Sequence, residues 1–434
     1  MRAASRSAAA VATVAVAYGA SVAVGQAFAW HGMQLRLGTA VPLSGHLDVR
    51  LSARTLLPVA VATLLLALLP LAADRLPWRC LLAACVVSSA GWAVSLALVD
   101  GVAALGRPIA TSAEYLADVP RVHALHPLLA SFTDHITIGS PGFAWVTHVS
   151  GHPPGALLTF VLLDRLGLGG PAWAAALCIG AGASAAAAGL VALRAVAGER
   201  QARAAAPFLA AAPAAIWIAT SADAWFLGVS AWGIALLALA ARRHDLAGDA
   251  QAAGGGLLLG ATAFLSYGLV LLAPIAVAAA LGRRRVRPLV VAGLAAVAVV
   301  VGYAALGFWW IDGLDQTRIR YRQGSASARP YLYFLFANLA VLGVSVGPAT
   351  VAALAAVGRL RRSAVALLPL GALAGIALAD LSGLSKSEVE RIWLPFTPWL
   401  IAATAVLPVR HRRWWLGAQL ALGLTVQTVV RTNW

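Results

Sequence analysis

The chain is a succession of apolar runs joined by short polar connections, and few of the runs show the alternation of a strand or the one-sided stripe of a soluble helix. A bilayer core about 30 Å thick takes about 20 apolar residues per helical crossing. Runs near that length are placed at 8–29, 55–73, 79–99, 172–194, 205–220, 224–241, 288–307, 331–356, 364–379, 392–407 and 414–430. The stretch 255–281 is punctuated by Gly254-Gly255-Gly256, Ser266-Tyr267-Gly268 and Pro274, which predicts two short or broken helices at 255–266 and 267–281 rather than one. The segment Pro153–Leu166 is too short to cross and is expected to lie against the outer face as a juxtamembrane or re-entrant helix. The expected fold is all-α: a polytopic membrane bundle of about 13 transmembrane helices with outer-face juxtamembrane helices.

Composition sharpens this picture. Hydrophobic residues make up 61% of the chain and charged ones 11%, a balance that excludes an ordinary soluble domain. The net charge of +16 would fit a nucleic-acid partner, but its distribution argues otherwise. The arginines cluster between apolar runs, at Arg75/Arg79, Arg200/Arg203, Arg242/Arg243, Arg283/Arg284/Arg285/Arg287, Arg359/Arg361/Arg362 and Arg410/Arg412/Arg413. That is the bias of cytoplasmic loops, and it places the N-terminus inside. The expectation is therefore a multi-pass protein of a bacterial cell membrane, in contact with membrane lipids and with no nucleic acid.

Two details of the same kind follow. Ala27-Phe28-Ala29 mimics a signal-peptidase site, but the run before it is long for a signal peptide and is expected to stay as the first helix. Cys80, Cys85 and Cys178 fall inside apolar runs without metal-ligand spacing and are expected to be small core residues.

On this threading the long, ionisable loops all face outward, where function tends to reside. The first, 100–150, carries Glu114, Tyr115, Asp118, Arg121, His123, His126, Asp134, His135 and His148, with His152 just beyond. If Ser112–Arg121 were helical, Glu114 and Asp118 would share a face and Arg121 would follow one turn later. Neighbouring carboxylates repel, which suits a general base opposite a hydroxyl. A solvated loop helix is the plainer alternative. The histidine spacings fit no strong metal template, so a structural or substrate-contacting role is expected and no metal ligand is assigned. A second loop, 308–330, holds Arg318, Arg320 and Arg322 beside Tyr321, on the side where arginine is least expected. Paired guanidinium donors suit a phosphate; general attraction to anionic lipid would also place them there. A third loop, 380–391, contains Asp380, Lys386, Glu388, Glu390 and Arg391. Gly180-Ala181-Gly182-Ala183-Ser184-Ala185 matches a dinucleotide fingerprint in letters, but it sits inside an apolar run with no preceding strand. Small-residue helix packing explains it better.

Taken together, these segments resemble the GT-C superfamily of membrane glycosyltransferases, in particular its aminoarabinose-transferase and protein-mannosyltransferase branch. Glu114-Tyr115 and Asp118 stand where that family has an acidic motif after an outward helix. His152-Pro153-Pro154-Gly155 is similar to its His-Pro-Pro segment. Gly256-Leu257-Leu258-Leu259-Gly260 followed by Leu265-Ser266-Tyr267 resembles its Gly-rich helix ending in Thr-Lys, with Tyr267 where lysine is common. Arg391-Ile392-Trp393-Leu394-Pro395-Phe396-Thr397-Pro398 is similar to its late Arg-Tyr-Leu-Leu-Pro segment. The adjacent Asp-Glu pair of the family is not present.

The resemblance covers roughly 79–407 and implies a division into a two-helix N-terminal extension at 1–78, a seven-helix catalytic module at 79–307 with its outer loop at 100–170, and a donor-binding loop with C-terminal helices at 308–434. It also implies an enzyme. Glu114 or Asp118 would act as base toward an acceptor hydroxyl of the cell envelope, on a glycan, lipid or protein. That hydroxyl would attack a sugar carried on polyprenyl phosphate, with inversion. Arg318, Arg320, Arg322 and Arg391 would hold the donor phosphate, and Tyr115, His152, Asp223, Tyr267, Glu388 and Glu390 would contact substrate. Some members use a divalent cation and others do not, so cofactor use stays open. A transporter or flippase of a lipid-linked sugar or other amphiphile would use the same groove without a catalytic carboxylate. A non-catalytic subunit of a cell-envelope complex would need neither.

Overall fold

The computed structural model describes residues 2–219, 221–282, 285–357 and 363–432. Of the arginine clusters, Arg283, Arg284, Arg359, Arg361 and Arg362 lie outside the described residues. The chain is a helical membrane bundle. Among the described residues, eight helices are long and apolar enough to cross a bilayer: 6–30, 53–75, 78–100, 171–197, 223–240, 287–305, 331–357 and 364–381. The remaining expected crossings take other forms. Leu246–Ala263 and Val409–Val429 are continuous helices of lower hydropathy. The 255–281 stretch breaks at 264–266, as Ser266 and Pro274 predict, leaving the short apolar helix Tyr267–Leu281.

The runs at 205–220 and 392–407 are not the continuous helices expected. The first is Glu199–Ala210 followed, after Pro213, by the tight turns Pro213–Trp217. The second is a string of short turns from Val389 to Val406 interrupted by Pro395 and Pro398. Each proline removes a backbone donor and blocks the preceding turn. Both segments are nonetheless almost entirely buried, so the backbone groups they free face protein rather than lipid.

Small residues set the helix spacing. A Cβ on Gly228 would meet Ala181 O at 2.6 Å, and one on Gly182 would meet Ala224 Cβ at 2.9 Å, so the two helices carrying them touch backbone to backbone. The Gly-Ala run is thus a packing surface, as its sequence suggests. Gly256 lies as tightly against Ala292. Helix Tyr331–Val357 kinks at Gly347, whose φ of 80° admits glycine, with Pro348 next. Gln419 repairs the break: its side-chain oxygen accepts from Ala349 N at 3.2 Å and its amide donates to Val346 O at 2.8 Å.

Contacts sort the connections into two ends. At one, the basic turns touch each other: Arg203 donates to Ala73 O and Leu76 O, Arg242 to Arg194 O and Ala195 O, and Arg287 pairs with Asp249. At the other, the long loops interlock. Arg50 pairs with Asp100, Thr317 donates to Ser150 O, and Arg329 donates to Leu35 O, Arg36 O and Lys386 O. There the strand Gly45–Leu47 pairs antiparallel with Val430–Thr432. The first helix packs along Tyr331–Val357, where Tyr333 donates to Ser21 O at 2.9 Å and Val14 fills the space at Gly343.

Candidate active site

The loop-bearing end assembles a buried charged cluster from four separate stretches of chain. Arg391 is its hub. It sits in the turn Val389–Ile392 and donates through Nη1 to Asp223 Oδ2 at 2.8 Å and through Nη2 to Glu388 Oε2 at 3.2 Å. The same Nη2 lies 3.2 Å from His148 Nε2. His148 Nδ1 in turn stands 2.5 Å from Glu114 Oε1. Asp223 is the first residue of the helix Asp223–Ala240, where the helix dipole favours its negative charge. Glu388 is held with φ at 62°, after Ser387 at 90°, an uncommon pair of left-handed residues. Asn338 enforces it, donating to Asp380 Oδ1 and Ser385 O and accepting from Ser387 N.

The acidic motif is shaped differently from the helix first expected. Tyr115–Ala117 and Val119–Arg121 are separate tight turns, with Pro120 in the second, so Glu114 and Asp118 share no helical face. Their environments also diverge. Glu114 joins the Arg391 cluster. Asp118 is fully buried, accepts from Val146 N at 2.9 Å and pairs with Arg121 at 2.9 Å. It closes the loop on itself, together with the bond from His148 N to Ala113 O at 3.0 Å.

Electrostatics follow this arrangement. Burial alone would push the Glu114 carboxyl up. The His148 hydrogen bond and the charge of Arg391 outweigh it and hold the group below the usual carboxylate range. Burial pushes the His152 imidazole down to about 4, and Asp223 only partly offsets it. His152 Nδ1 lies 2.7 Å from His148 O, so Nδ1 carries the hydrogen. Tyr115 is buried between Phe160, stacked at 5.4 Å, and His152, edge-on at 5.7 Å. Burial and the nearby Glu114 and Asp223 raise its hydroxyl well above normal. Arg391 is desolvated, yet Asp223, Glu388 and Glu114 push its pKa above the ordinary arginine value.

The other expected residues lie further out. The helix Pro154–Arg165 packs so closely on the break at Phe264 that a Cβ on Gly155 would meet Phe264 O at 2.6 Å. Tyr267 stands edge-on to Trp310, and its hydroxyl abuts Gly313 of the helix Trp310–Gln323. On that helix Arg318 and Arg322 are exposed, with Arg318 paired to Asp315, while Arg320 is half-buried. Its desolvation lowers the Arg320 pKa. Glu390 turns away from Arg391, is fully buried, and accepts from Ser44 N at 3.2 Å.

Two residues had not been assigned from sequence. His148 appeared only as one of several loop histidines. Its signal is its neighbour four residues on, His152, which shares the cluster, whereas His123 and His126 are exposed and His135 stacks on Phe143. Arg329, buried against three carbonyls and 3.8 Å from Glu388, joins the 31–52 loop to the cluster.

Among the described residues, no group of three His, Cys, Asp or Glu side chains is placed to hold a metal ion. In the cluster itself the guanidinium of Arg391 stands between the ligand-type side chains Asp223, Glu388 and His148. The residues present therefore do not fit a divalent cation.

No protein-family model matches the chain, and no curated protein matches it. Among solved structures it is similar to the Archaeoglobus fulgidus oligosaccharyltransferase, crystallised in complex with Zn and sulfate. The TM-score is 0.43 and the identity 12%, over 81% of this chain and 53% of that one. The chain spans about half the length of that protein. So distant a likeness carries no residue correspondence, and the chemistry rests on the geometry of the cluster.

Proposed function

We propose that the protein is a membrane glycosyltransferase of GT-C type that moves a sugar from a polyprenyl-phosphate donor to a hydroxyl of the cell envelope, at the outer face. The observation that carries this reading is the Glu114–His148–Arg391–Asp223 cluster at the end of the bundle opposite the basic turns. A carboxylate kept ionised at this position is available to accept a proton as a general base. Glu114 takes the acceptor's proton as its oxygen attacks the anomeric carbon. The sugar–phosphate bond breaks on the opposite side, its electrons leave on the phosphate, and the centre inverts.

Asp118 is the lesser candidate, because its oxygens already close the loop. The leaving phosphate needs positive charge rather than an acid. Arg320, half-buried on its helix, with the exposed Arg318 and Arg322 beside it, supplies it. Arg391 acts one step back, since its own charge is matched by Asp223 and Glu388. His152 and Tyr115 form the wall against which the sugar or acceptor is oriented. Tyr267 supports the helix Trp310–Gln323, and Glu390 belongs to the packing of the N-terminal loop. A site at this face has no access to cytoplasmic nucleotide sugars, which favours a lipid-linked donor.

The test is surface-glycan linkage analysis of a deletion strain complemented with wild type, Glu114→Gln or Asp118→Asn at matched expression. One linkage is expected to disappear and to return with wild type but not with Glu114→Gln. Full restoration by both variants overturns the catalytic assignment and favours transport of the same lipid-linked sugar or a non-catalytic role.

A further inference from the structure

Resting on the transferase reading, we propose that His148 is the residue that positions the catalytic carboxylate, coupling Arg391 to Glu114 through a fixed imidazole tautomer. The argument is one of hydrogen-bond direction. A guanidinium only donates. Its Nη2, 3.2 Å from His148 Nε2, therefore makes that nitrogen the acceptor. The ring proton then sits on Nδ1, aimed at Glu114 Oε1 at 2.5 Å. From Arg391 through His148 to Glu114, each donor polarises the acceptor that follows it. One carboxylate oxygen is committed to the imidazole, and the other, Oε2, is the atom that takes the acceptor's proton.

The backbone holds the ring in this pose. His148 lies in the turn Thr147–Ser150, fixed on one side by its own N–H to Ala113 O at 3.0 Å and by Val146 N to Asp118. Thr317, from the helix that carries Arg318 and Arg320, donates to Ser150 O at 3.1 Å in the same turn. Displacement of that helix by a donor phosphate would thus reach the base through His148.

Asparagine and glutamine separate the two ring nitrogens: Asn presents its amide N–H near the Nδ1 position, whereas Gln presents its amide near Nε2 and leaves Glu114 without a donor. Transfer rates of the purified full chain are measured against pH for wild type, His148→Asn and His148→Gln. His148→Asn is expected to stay within about tenfold of wild type, with its loss of activity at low pH in the same place. His148→Gln is expected to lose about a hundredfold, with the low-pH loss displaced upward because Glu114 is no longer held ionised. Equal behaviour of the two variants, or an unmoved acid limb in His148→Gln, overturns the role.

A second measurement does not depend on turnover. In thermal unfolding, Glu114→Gln/His148→Gln is expected to melt no lower than the worse single variant, whereas strictly additive losses overturn the contact. If wild type transfers nothing to any acceptor while the two sites remain coupled, the transferase reading falls and the Arg391–His148–Glu114 linkage stands.

Discussion

Asp223 and Arg391, 168 positions apart in the chain, meet at 2.8 Å with 6% and 7% of their side chains exposed. An ion pair taken so far out of water is held by its completeness. Removing one partner leaves the other charged and unmatched, at a cost of about 3–5 kcal/mol. Arg391→Ala is expected to lower the melting temperature sharply and to abolish transfer. Arg391→Lys, a point charge without the fork, keeps the charge balance but cannot reach Asp223, Glu388 and His148 together. It should recover much of the stability and little of the activity. Tryptophan-fluorescence melts and transfer assays on the same preparations check both.

Glu114 and Asp118 are expected to separate by phenotype. Glu114→Gln keeps the shape of the cluster and should cost about 10²–10⁴-fold in kcat, with folding retained. Asp118→Asn replaces an acceptor that closes the loop on Val146 N and pairs with Arg121. It should destabilise the protein by about 1–3 kcal/mol, with a smaller effect on rate. The wild-type pH profile follows from the sign of the Glu114 shift. Its carboxyl is held below the ordinary value of 4.5, so Glu114 stays ionised down to that value and, if it is the base, activity is expected to fall only at lower pH. Rates between pH 4 and 7 test this, and a half-loss well above 4.5 would remove Glu114 as the base.

Much of this was legible in the sequence, for reasons particular segments make clear. Crossings such as 171–197 and 331–357 are written as apolar length, which the bilayer reads directly. Ser266 and Pro274 announce the break between Leu246–Ala263 and Ala273–Leu281 locally. The segments around Pro213 and Pro395 were misjudged as whole helices because apolar composition dominates a hydropathy window, while a single proline decides the backbone. The cluster was harder. Glu114 and Arg391 stood out as charges in long loops, but their connection runs through His148 across 243 positions, a distance local spacing cannot reveal. Helical spacing also misled for Glu114 and Asp118, where Pro120 and side-chain bonds turn the chain instead.

The sidedness of the bundle can be read chemically. Arg318 and Arg322 are exposed on the helix Trp310–Gln323, at the end away from the basic turns. Cys80 is exposed in the structure, whereas Cys85 and Cys178 are buried. In a Cys80→Ser background, Arg318→Cys is expected to react with a membrane-impermeant maleimide added to intact cells. Arg242→Cys, at the opposite end, should react only after the membrane is opened. The reverse pattern would place the Glu114 cluster in the cytoplasm and end the case for a lipid-linked donor at the outer leaflet.

Glu390 yields the clearest effect of pH on stability. Burial pushes its carboxyl up to about 7; Ser44 N and Arg391 counter this, while neighbouring Glu388 adds to it. One oxygen accepts from Ser44 N, and the other has no hydrogen-bond partner. The folded chain therefore keeps a proton that the unfolded chain releases above about 4.5. Wherever the native state binds more protons, stability falls as pH rises. The loss should accumulate between about 4.5 and 7 and level off above that. Glu390→Gln supplies the same oxygen to Ser44 N without a titrating group. Its melting temperature is expected to match wild type at low pH, to exceed it by several degrees at pH 8, and to lack the decline between. Parallel melting curves for the two proteins across that range would mean that the carboxyl is ionised in the folded state, with a cation near enough to Glu390 to match it.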